Sequence, residues 1–194
     1  MRGGAVGSPR WTRMSRTVGP AVMKAMMCIA APQWEHSSGL ESAPMDLRVP
    51  PPVVTAIVVA AMWVIDRSVD AGRITSSVQI PAAVAFLAAG VGLMAAAVAS
   101  FVTANTTINP LKPSRASRLV TSGVFRLSRN PIYVGDLLVL VAIAVWLGQA
   151  ANIALLAGFV WYIDRFQIRP EERALSTLFG AEYTAYCARV RRWL

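Results

Sequence analysis

Side chains that could bind a ligand are concentrated in two polar segments, each next to a long apolar stretch. The first segment, residues 119–133 (LVTSGVFRLSRNPIY), contains two arginines and no acidic residue. Pro131 suits the first turn of a helix, where free backbone amides, together with Arg126 and Arg129, would face a common point. This arrangement favours an anion, although a basic topology signal followed by a helix start would give the same pattern.

The second segment, residues 165–190, carries adjacent carboxylates at Glu171 and Glu172, directly after Pro170. Acidic residues in the first turn complement the helix dipole, so a well-capped surface helix would also explain the pair. An apolar stripe at helical spacing follows, and Gly180 is suited to end that helix before a second amphipathic stretch begins. The carboxylates are therefore candidate ligand groups at the start of a helix.

The composition around these segments is that of a membrane protein. Of 194 residues, 55% are hydrophobic and 15% are charged, and the mean hydropathy is +0.49. In soluble domains, roughly 45–50% of residues are apolar and about 25% are charged. The net charge of +9 would suit nucleic acid or an anionic membrane surface, and the apolar runs favour the membrane. The basic tail beside Trp193 fits an interfacial anchor or a contact with anionic lipid, and we expect no nucleic-acid partner.

Metal and disulfide chemistry is not expected from this sequence. The chain has two cysteines, Cys28 and Cys187, and one histidine, His36. This number is too small for a Cys/His zinc site or for a disulfide scaffold. No ligand set for a haem or a metal is visible either, so we expect no metal cofactor.

Four transmembrane helices are predicted to position the two polar segments. Residues 49–65 are uncharged and just long enough to span, and residues 80–102 are apolar and ample. Residues 137–163 are too long for one comfortable span, and the turn-prone stretch 148–152 divides them into a helical hairpin. The predicted fold is an all-α polytopic membrane bundle with a C-terminal hairpin.

The distribution of basic residues predicts the orientation of this bundle. Basic residues near the ends of spans stay on the cytoplasmic side. Both termini, the loop before the hairpin and any pocket built from the two polar segments are therefore expected to be cytoplasmic, in a multi-pass protein of the plasma (inner) membrane. The basic residues of that loop are Lys112, Arg115, Arg118, Arg126 and Arg129.

Residues 1–48 differ from the rest, because they are rich in Gly, Ser, Pro and Arg and show no sustained periodicity. We expect an N-terminal extension with little fixed structure, ahead of one membrane domain at residues 49–194. Residues 18–32 resemble the apolar part of a signal peptide, but Lys24 interrupts them and no clear cleavage site follows. A start of translation at Met45 is the alternative interpretation.

The two polar segments and their connecting hairpin resemble the isoprenylcysteine carboxyl methyltransferase family and its phospholipid methyltransferase relatives. The similarity covers residues 109–193 and includes a Phe-Gly-x-x-Tyr-x-x-Tyr pattern at residues 179–186. It implies an integral membrane enzyme with S-adenosylmethionine in a cytoplasmic pocket. Arg129 would hold the carboxylate of this cofactor, and Glu171 or Glu172 its ammonium or hydroxyl groups.

The resemblance also assigns roles to individual residues. The family's Arg-His-Pro-x-Tyr type motif falls on residues 129–133, and its glutamate pair on residues 171–172. Two glycines occupy the small positions on either side of the first motif. The implied cofactor-binding residues are Gly123, Arg129, Asn130, Pro131, Tyr133, Gly135, Glu171 and Glu172. The implied catalytic residues are Glu172 and Arg165, of which Arg165 would orient the acceptor group.

One departure from the family pattern bears on the acceptor. Asn130 stands where many members have histidine, and an amide cannot titrate near neutral pH. A carboxylate acceptor is already ionised at pH 7, whereas an amine arrives mostly protonated. The sequence therefore favours a carboxylate on a lipophilic acceptor. Two alternatives stay open: an amine methyltransferase acting on phospholipid head groups, and a non-catalytic bundle that binds anionic lipid.

Overall fold

The computed structural model describes residues 49–104 and 119–194. Within these ranges the chain is helical and has no strand, which confirms the all-α class for this part of the protein. The predicted extension at residues 1–48 and the loop residues Lys112, Arg115 and Arg118 lie outside the described ranges. In chain order the elements are α1 (Pro51–Ser68), α2 (Gln79–Thr103), a 3₁₀ turn (Gly123–Arg126), α3 (Pro131–Leu147), α4 (Asn152–Ile163), a π turn (Asp164–Ile168) and α5 (Arg169–Arg189).

Helices α1 and α2 are long and apolar enough to cross a membrane. Few of their side chains are buried inside the protein, and large apolar residues such as Ile57, Trp63 and Ile80 are exposed. An exposed apolar surface along a whole helix suits contact with lipid rather than water. The first two predicted spans correspond to these helices.

Helices α3 and α4 are shorter and are joined by a tight turn at residues 148–151. Gly148 ends α3 in the left-handed conformation, with a φ of 67°. Its carbonyl accepts the Ile74 N–H at 2.7 Å, and the Ala150 N–H donates to the Gly72 carbonyl at 3.1 Å. The loop after α1 and the turn after α3 therefore lie at one end of the helices. The starts of α1 and α3 consequently lie at the other end.

The main apolar core lies between α1, α3 and α4. Met62, Leu140 and Phe159 contribute one fully buried side chain from each of these helices. Trp193, near the C-terminus, packs against the same cluster. The last residues of the chain are thus part of the packed structure, which the sequence pattern did not predict.

Two glycines allow α2 and α3 to pack closely. A Cβ on Gly90 would lie 2.7 Å from the carbonyl oxygen of Gly135, and a Cβ on Gly135 would overlap the side chain of Met94. Real Cβ atoms do not approach backbone atoms this closely, so both positions require glycine at this spacing. Gly135 therefore lies in a helix interface.

Replacing Gly90 by alanine is expected to destabilise the protein, because the added methyl group would force α2 and α3 apart. Overpacking costs about 1–3 kcal/mol, and each kcal/mol lowers the thermal midpoint by about 2–4 °C in a chain of this size. Gly92→Ala is the matched control, since nothing lies within 4 Å of a Cβ there. Equal midpoints for the two variants in detergent would contradict the close contact.

Candidate active site

The segment before α3 is fixed against the end of α2. Gly123 has a φ of 61°, and a Cβ there would lie 2.9 Å from the Ser100 hydroxyl. The 3₁₀ turn that follows buries Phe125, whose ring packs edge-to-face on Phe101 with a centroid distance of 5.1 Å. Gly123 thus permits the turn that carries the chain to the first polar motif.

The first motif ends in a helix start, as the sequence predicted. Asn130 is non-helical, with φ −129° and ψ 55°, and Pro131 follows in the first turn of α3. One turn further, the buried Tyr133 donates its hydroxyl hydrogen to Glu171 Oε1 at 2.6 Å. This hydrogen bond joins the two motifs that the sequence singled out.

Glu172 forms the centre of the polar cluster. Its Oε1 lies 3.1 Å from Arg129 Nη2, and Arg192 grips both carboxylate oxygens, with Nε–Oε1 and Nη2–Oε2 distances of 3.1 and 2.6 Å. The side chains of Arg129 and Glu172 are only 14% and 16% exposed. Charge-assisted, two-pronged bonds of this kind fix geometry strongly. The carboxylate of Glu172 is therefore held in one orientation by two guanidinium groups.

Asp164 extends the same network at the start of the π turn. It accepts hydrogen bonds from Arg192 Nη1 at 3.0 Å and from Arg169 Nε at 2.7 Å. On the other side of Glu172, Arg129 contacts the Cys187 thiol through Nη1. The hydrogen bond to Glu172 raises the pKa of Arg192, so this guanidinium stays charged at all physiological pH values.

These groups surround an open cleft of about 500 Å³. Its volume is within the usual range for small-molecule sites, roughly 300–1,000 Å³. Arginines outnumber carboxylates on its walls, which favours a ligand with an anionic group. The lining residues are Arg129, Arg165, Arg169, Glu172, Arg173, Ser176, Tyr183, Cys187 and Arg192.

The second part of α5 closes one side of the cleft. Gly180 breaks the helical geometry of α5 with φ 50° and ψ −119°, so the predicted change of helix at this glycine is a kink. Beyond it, Tyr183 and Tyr186 are buried, and Tyr186 donates to the Phe125 carbonyl at 2.7 Å. Burial raises the pKa of Tyr186 to about 12 and also raises that of Tyr183, so both hydroxyls remain donors at neutral pH.

Tyr186→Phe is expected to cost about 1–2 kcal/mol, because a buried carbonyl loses its donor. The Tyr186 pKa is higher in the folded protein than its unfolded value of about 10, so its contribution is complete below pH 10 and is lost as the pH rises toward 12. The free energy of unfolding, measured by denaturation, should therefore fall less between pH 8 and pH 11 in the variant than in the wild type. Thr184→Ala, at an exposed hydroxyl on the same helix, is the control.

The structure brings several of the predicted site residues together and places others nearby. Arg129, Arg165 and Glu172 line the cleft, whereas Glu171, which precedes Glu172 in sequence and is bonded to Tyr133, is not among the lining residues. Gly123, Pro131 and Gly135 instead support the loop and the helix that carry these residues. Asn130 donates its side-chain amide to the Arg192 carbonyl at 2.9 Å.

Other lining residues were not identified from the sequence. Tyr183 and Cys187 are four residues apart, and this helical spacing, which repeats between Glu172 and Ser176, could have indicated a shared face. Arg192 was interpreted as part of an interfacial anchor, and only the tertiary structure shows it inside the cluster. The residues missed are Asp164, Arg169, Arg173, Ser176, Tyr183, Cys187 and Arg192.

The fold and the cleft together define a helical protein of membrane type with a charged cleft at one end of its helices. A family model described as phospholipid methyltransferase matches residues 78–182, more than half of the chain. The chain belongs to this family, which makes it a membrane methyltransferase by class. The resemblance drawn from the two polar segments is thereby confirmed.

Curated proteins with significant similarity include two plant enzymes. Protein-S-isoprenylcysteine O-methyltransferase B of Arabidopsis thaliana is 36% identical over 73 residues, which is 38% of this chain and 37% of the relative. Protein-S-isoprenylcysteine O-methyltransferase A of the same plant is 38% identical over 72 residues, which is 37% of this chain and 36% of the relative. The alignment therefore spans little more than a third of either enzyme.

A bacterial relative is matched along its whole length. An uncharacterized protein of Haemophilus influenzae is 41% identical over 63 residues, which is 32% of this chain and all of the relative. No solved structure matches significantly.

Proposed function

We propose that the protein uses S-adenosylmethionine to methylate a carboxylate on a lipophilic acceptor. The observation that carries this proposal is the pairing of Arg129 and Glu172 at 3.1 Å beside a cleft, in a chain of a methyltransferase family. The two polar segments meet at the cleft, and a structural or a ligand-binding role could explain this. The excess of arginines over carboxylates on the cleft wall supports a ligand-binding role. The names of the two plant relatives support the carboxyl class.

The residues of the cleft fit the polar groups of this cofactor. Arg129 Nε is buried and has no hydrogen-bond partner among the described residues, so it is a free donor for a ligand carboxylate. Glu171 or Glu172 would accept from the ammonium or ribose hydroxyl groups, with Glu171 bonded to the Tyr133 hydroxyl and Glu172 held by Arg129 and Arg192. When bound, S-adenosylmethionine would supply an electrophilic methyl group next to this wall.

Gly123, Asn130, Pro131 and Gly135 contribute to cofactor binding through position. The loop turn, the helix start and the close α2–α3 contact support the backbone that carries Arg129 to the cleft wall and Tyr133 to its hydrogen bond with Glu171. A direct contact of Asn130 with the cofactor would compete with its hydrogen bond to the Arg192 carbonyl. The main contribution of this scaffold is alignment, for which well-oriented systems reach effective molarities of about 10⁵ M or more.

Arg165 is proposed to hold the acceptor. It lies on the cleft wall, largely exposed, with its guanidinium 5.6 Å from the centre of the Phe166 ring. A guanidinium group can orient a carboxylate with two hydrogen bonds. The acceptor carboxylate is ionised at neutral pH, so its attack on a methyl group needs no general base, which agrees with asparagine at residue 130.

We further propose four membrane spans with both termini in the cytoplasm. Helices α1 and α2 supply two spans. Helix α3 has 17 residues, or about 25 Å of helix, which nearly matches a hydrocarbon core of about 30 Å. The 12 apolar residues of α4, about 18 Å, end where the charged π turn begins at the membrane surface. The cleft lies beyond the C-terminal end of α4, where the arginines of the π turn and α5 follow, which supports a cytoplasmic site in the inner membrane.

The description of the matching family supports a second candidate function, methylation of an amine on a phospholipid head group. Purified protein should be incubated with methyl-labelled S-adenosylmethionine and either a prenylcysteine analogue or phosphatidylethanolamine. We expect label in the prenylcysteine analogue, released by base as expected for an ester. Label only in phosphatidylethanolamine would replace the proposal by the second candidate, and retention of neither cofactor nor label would favour a lipid-binding bundle.

A further inference from the structure

The last five residues, 190–194, form a strap across the start of α3, and we call them the C-terminal strap. The Arg129 N–H donates to the Arg191 carbonyl at 3.0 Å. The Arg192 carbonyl accepts from the Asn130 amide at 2.9 Å and from the Ser128 hydroxyl at 3.3 Å. Ser128 is 1% exposed, so this attachment is sheltered from water. Three consecutive residues of the first polar segment, 128–130, therefore hold the strap in one register.

The side chains of the strap lie in three different environments. Arg191 is exposed, whereas Arg192 turns inward and Trp193 packs against the main core. The Arg192 guanidinium bonds to Glu172 through Nε and Nη2 and to Asp164 through Nη1. One side chain thus bridges α5 and the π turn, two elements that each contribute to the cleft.

The electrostatics of the cluster depend on this bridge. Asp164 and Glu172 are balanced by Arg192 and by the partners on either side, Arg169 and Arg129. Without Arg192, both carboxylate oxygens of Glu172 would lose a hydrogen bond, and Glu172 could form a bidentate ion pair with Arg129. The free Nε of Arg129 would then be drawn away from a ligand.

We propose that Arg192 is a positioning residue for the cofactor site, acting through Glu172 to keep Arg129 available to the ligand carboxylate. Asn130 is part of the same device, since its amide fixes the strap that carries Arg192. An amide keeps this bond unchanged near neutral pH, where a histidine would titrate. The inference rests on the proposed function and assigns a role to a tail whose basic residues otherwise suggest only a membrane anchor.

The test compares two neighbouring arginines of the strap. Arg192→Ala is expected to weaken S-adenosylhomocysteine binding by about tenfold or more in calorimetry, whereas Arg191→Ala, which removes the same charge from an exposed position, should stay within about twofold. Arg192→Lys should give an intermediate affinity, because a lysine ammonium keeps the charge but lacks the planar set of N–H donors that binds Glu172 and Asp164 together. In methyl transfer, Arg192→Ala should raise the KM for S-adenosylmethionine and leave that of the acceptor unchanged, which a general loss of structure would not do.

Hydrogen exchange at the Arg129 amide gives a readout without ligand, and it should become faster in Arg192→Ala and in Asn130→Ala but not in Arg191→Ala. If Arg192→Ala does not fold, Arg192→Lys and Asn130→Ala carry the test, and unchanged affinity in both overturns the inference. Tight wild-type binding with equal affinities for the Arg191 and Arg192 alanine variants overturns the inference alone. Absence of binding by folded wild type overturns the proposed function and the inference with it.

Discussion

Glu172→Ala should lower the affinity for S-adenosylhomocysteine by about tenfold or more and should also destabilise the protein by about 2 kcal/mol. The reason is that Glu172 is the shared partner of Arg129 and Arg192, at 3.1 and 2.6 Å. Its removal leaves two like charges facing each other in a partly buried cluster. Calorimetric titration and thermal unfolding of the same detergent-purified sample measure both effects.

The control for this prediction is Glu182→Ala, because Glu182 is an exposed acid further along the same helix and does not line the cleft. It should change the affinity by less than about twofold. Glu172→Gln, which keeps the shape and removes the charge, should show most of the loss in affinity. A Glu172→Ala variant with wild-type affinity would exclude Glu172 from the site.

Arg165→Lys should raise the KM for a carboxylate acceptor by about tenfold or more, while binding of S-adenosylhomocysteine stays unchanged. Lysine keeps the positive charge at the cleft wall but presents a single ammonium, so the two-pronged grip on a carboxylate is lost. Steady-state methyl transfer with varied acceptor measures the KM, and calorimetry measures cofactor affinity separately.

Arg189→Lys is the matched control, because Arg189 is an exposed arginine that does not line the cleft and donates to the Ala185 carbonyl of its own helix. Its KM should equal that of the wild type. An unchanged KM in Arg165→Lys would remove Arg165 from the acceptor site, and a parallel loss of cofactor affinity would place it in the cofactor site instead.

Local sequence patterns predicted the elements that carry the site. Pro131 does lie in the first turn of α3, because proline fixes φ at a helical value and its missing N–H costs nothing there. Gly148 does end that helix, because glycine adopts the left-handed conformation without a Cβ clash. The sequence also predicted that the two polar segments lie at the same end of the hairpin, although not the direct contact between Arg129 and Glu172. Because α3 and α4 form a hairpin, the residues before α3 and the residues after α4 lie at the same end of the helices.

The boundary between α4 and α5 could not be predicted in the same way. Pro170 indicated a new helix, and α5 does carry proline in its first turn. No break precedes it, however, since the π turn at Asp164–Ile168 leads directly from α4 into α5. The missing N–H of Pro170 suggested a helix boundary, whereas the π turn that links the two helices is a rare element that local periodicity does not predict. This turn also aims Asp164 at Arg192.

The role of Arg192 depends on tertiary contacts alone. Three arginines in the last six residues form a local pattern that fits a membrane anchor equally well, and periodicity does not distinguish Arg191 from Arg192. The contacts to Asn130 and Glu172 join residues 62 and 20 positions apart. Similarly, Gly135 suggested a cofactor contact, and only its partner Gly90 on α2 shows the helix interface.

The central claim is that the two motifs build one site for S-adenosylmethionine, and calorimetric titration of the wild-type protein with S-adenosylhomocysteine tests it most directly. The account predicts binding with a Kd of about 10 μM or tighter, weakened about tenfold or more by Arg129→Ala. Folded wild-type protein that shows no binding, or binding that Arg129→Ala leaves unchanged, would contradict it.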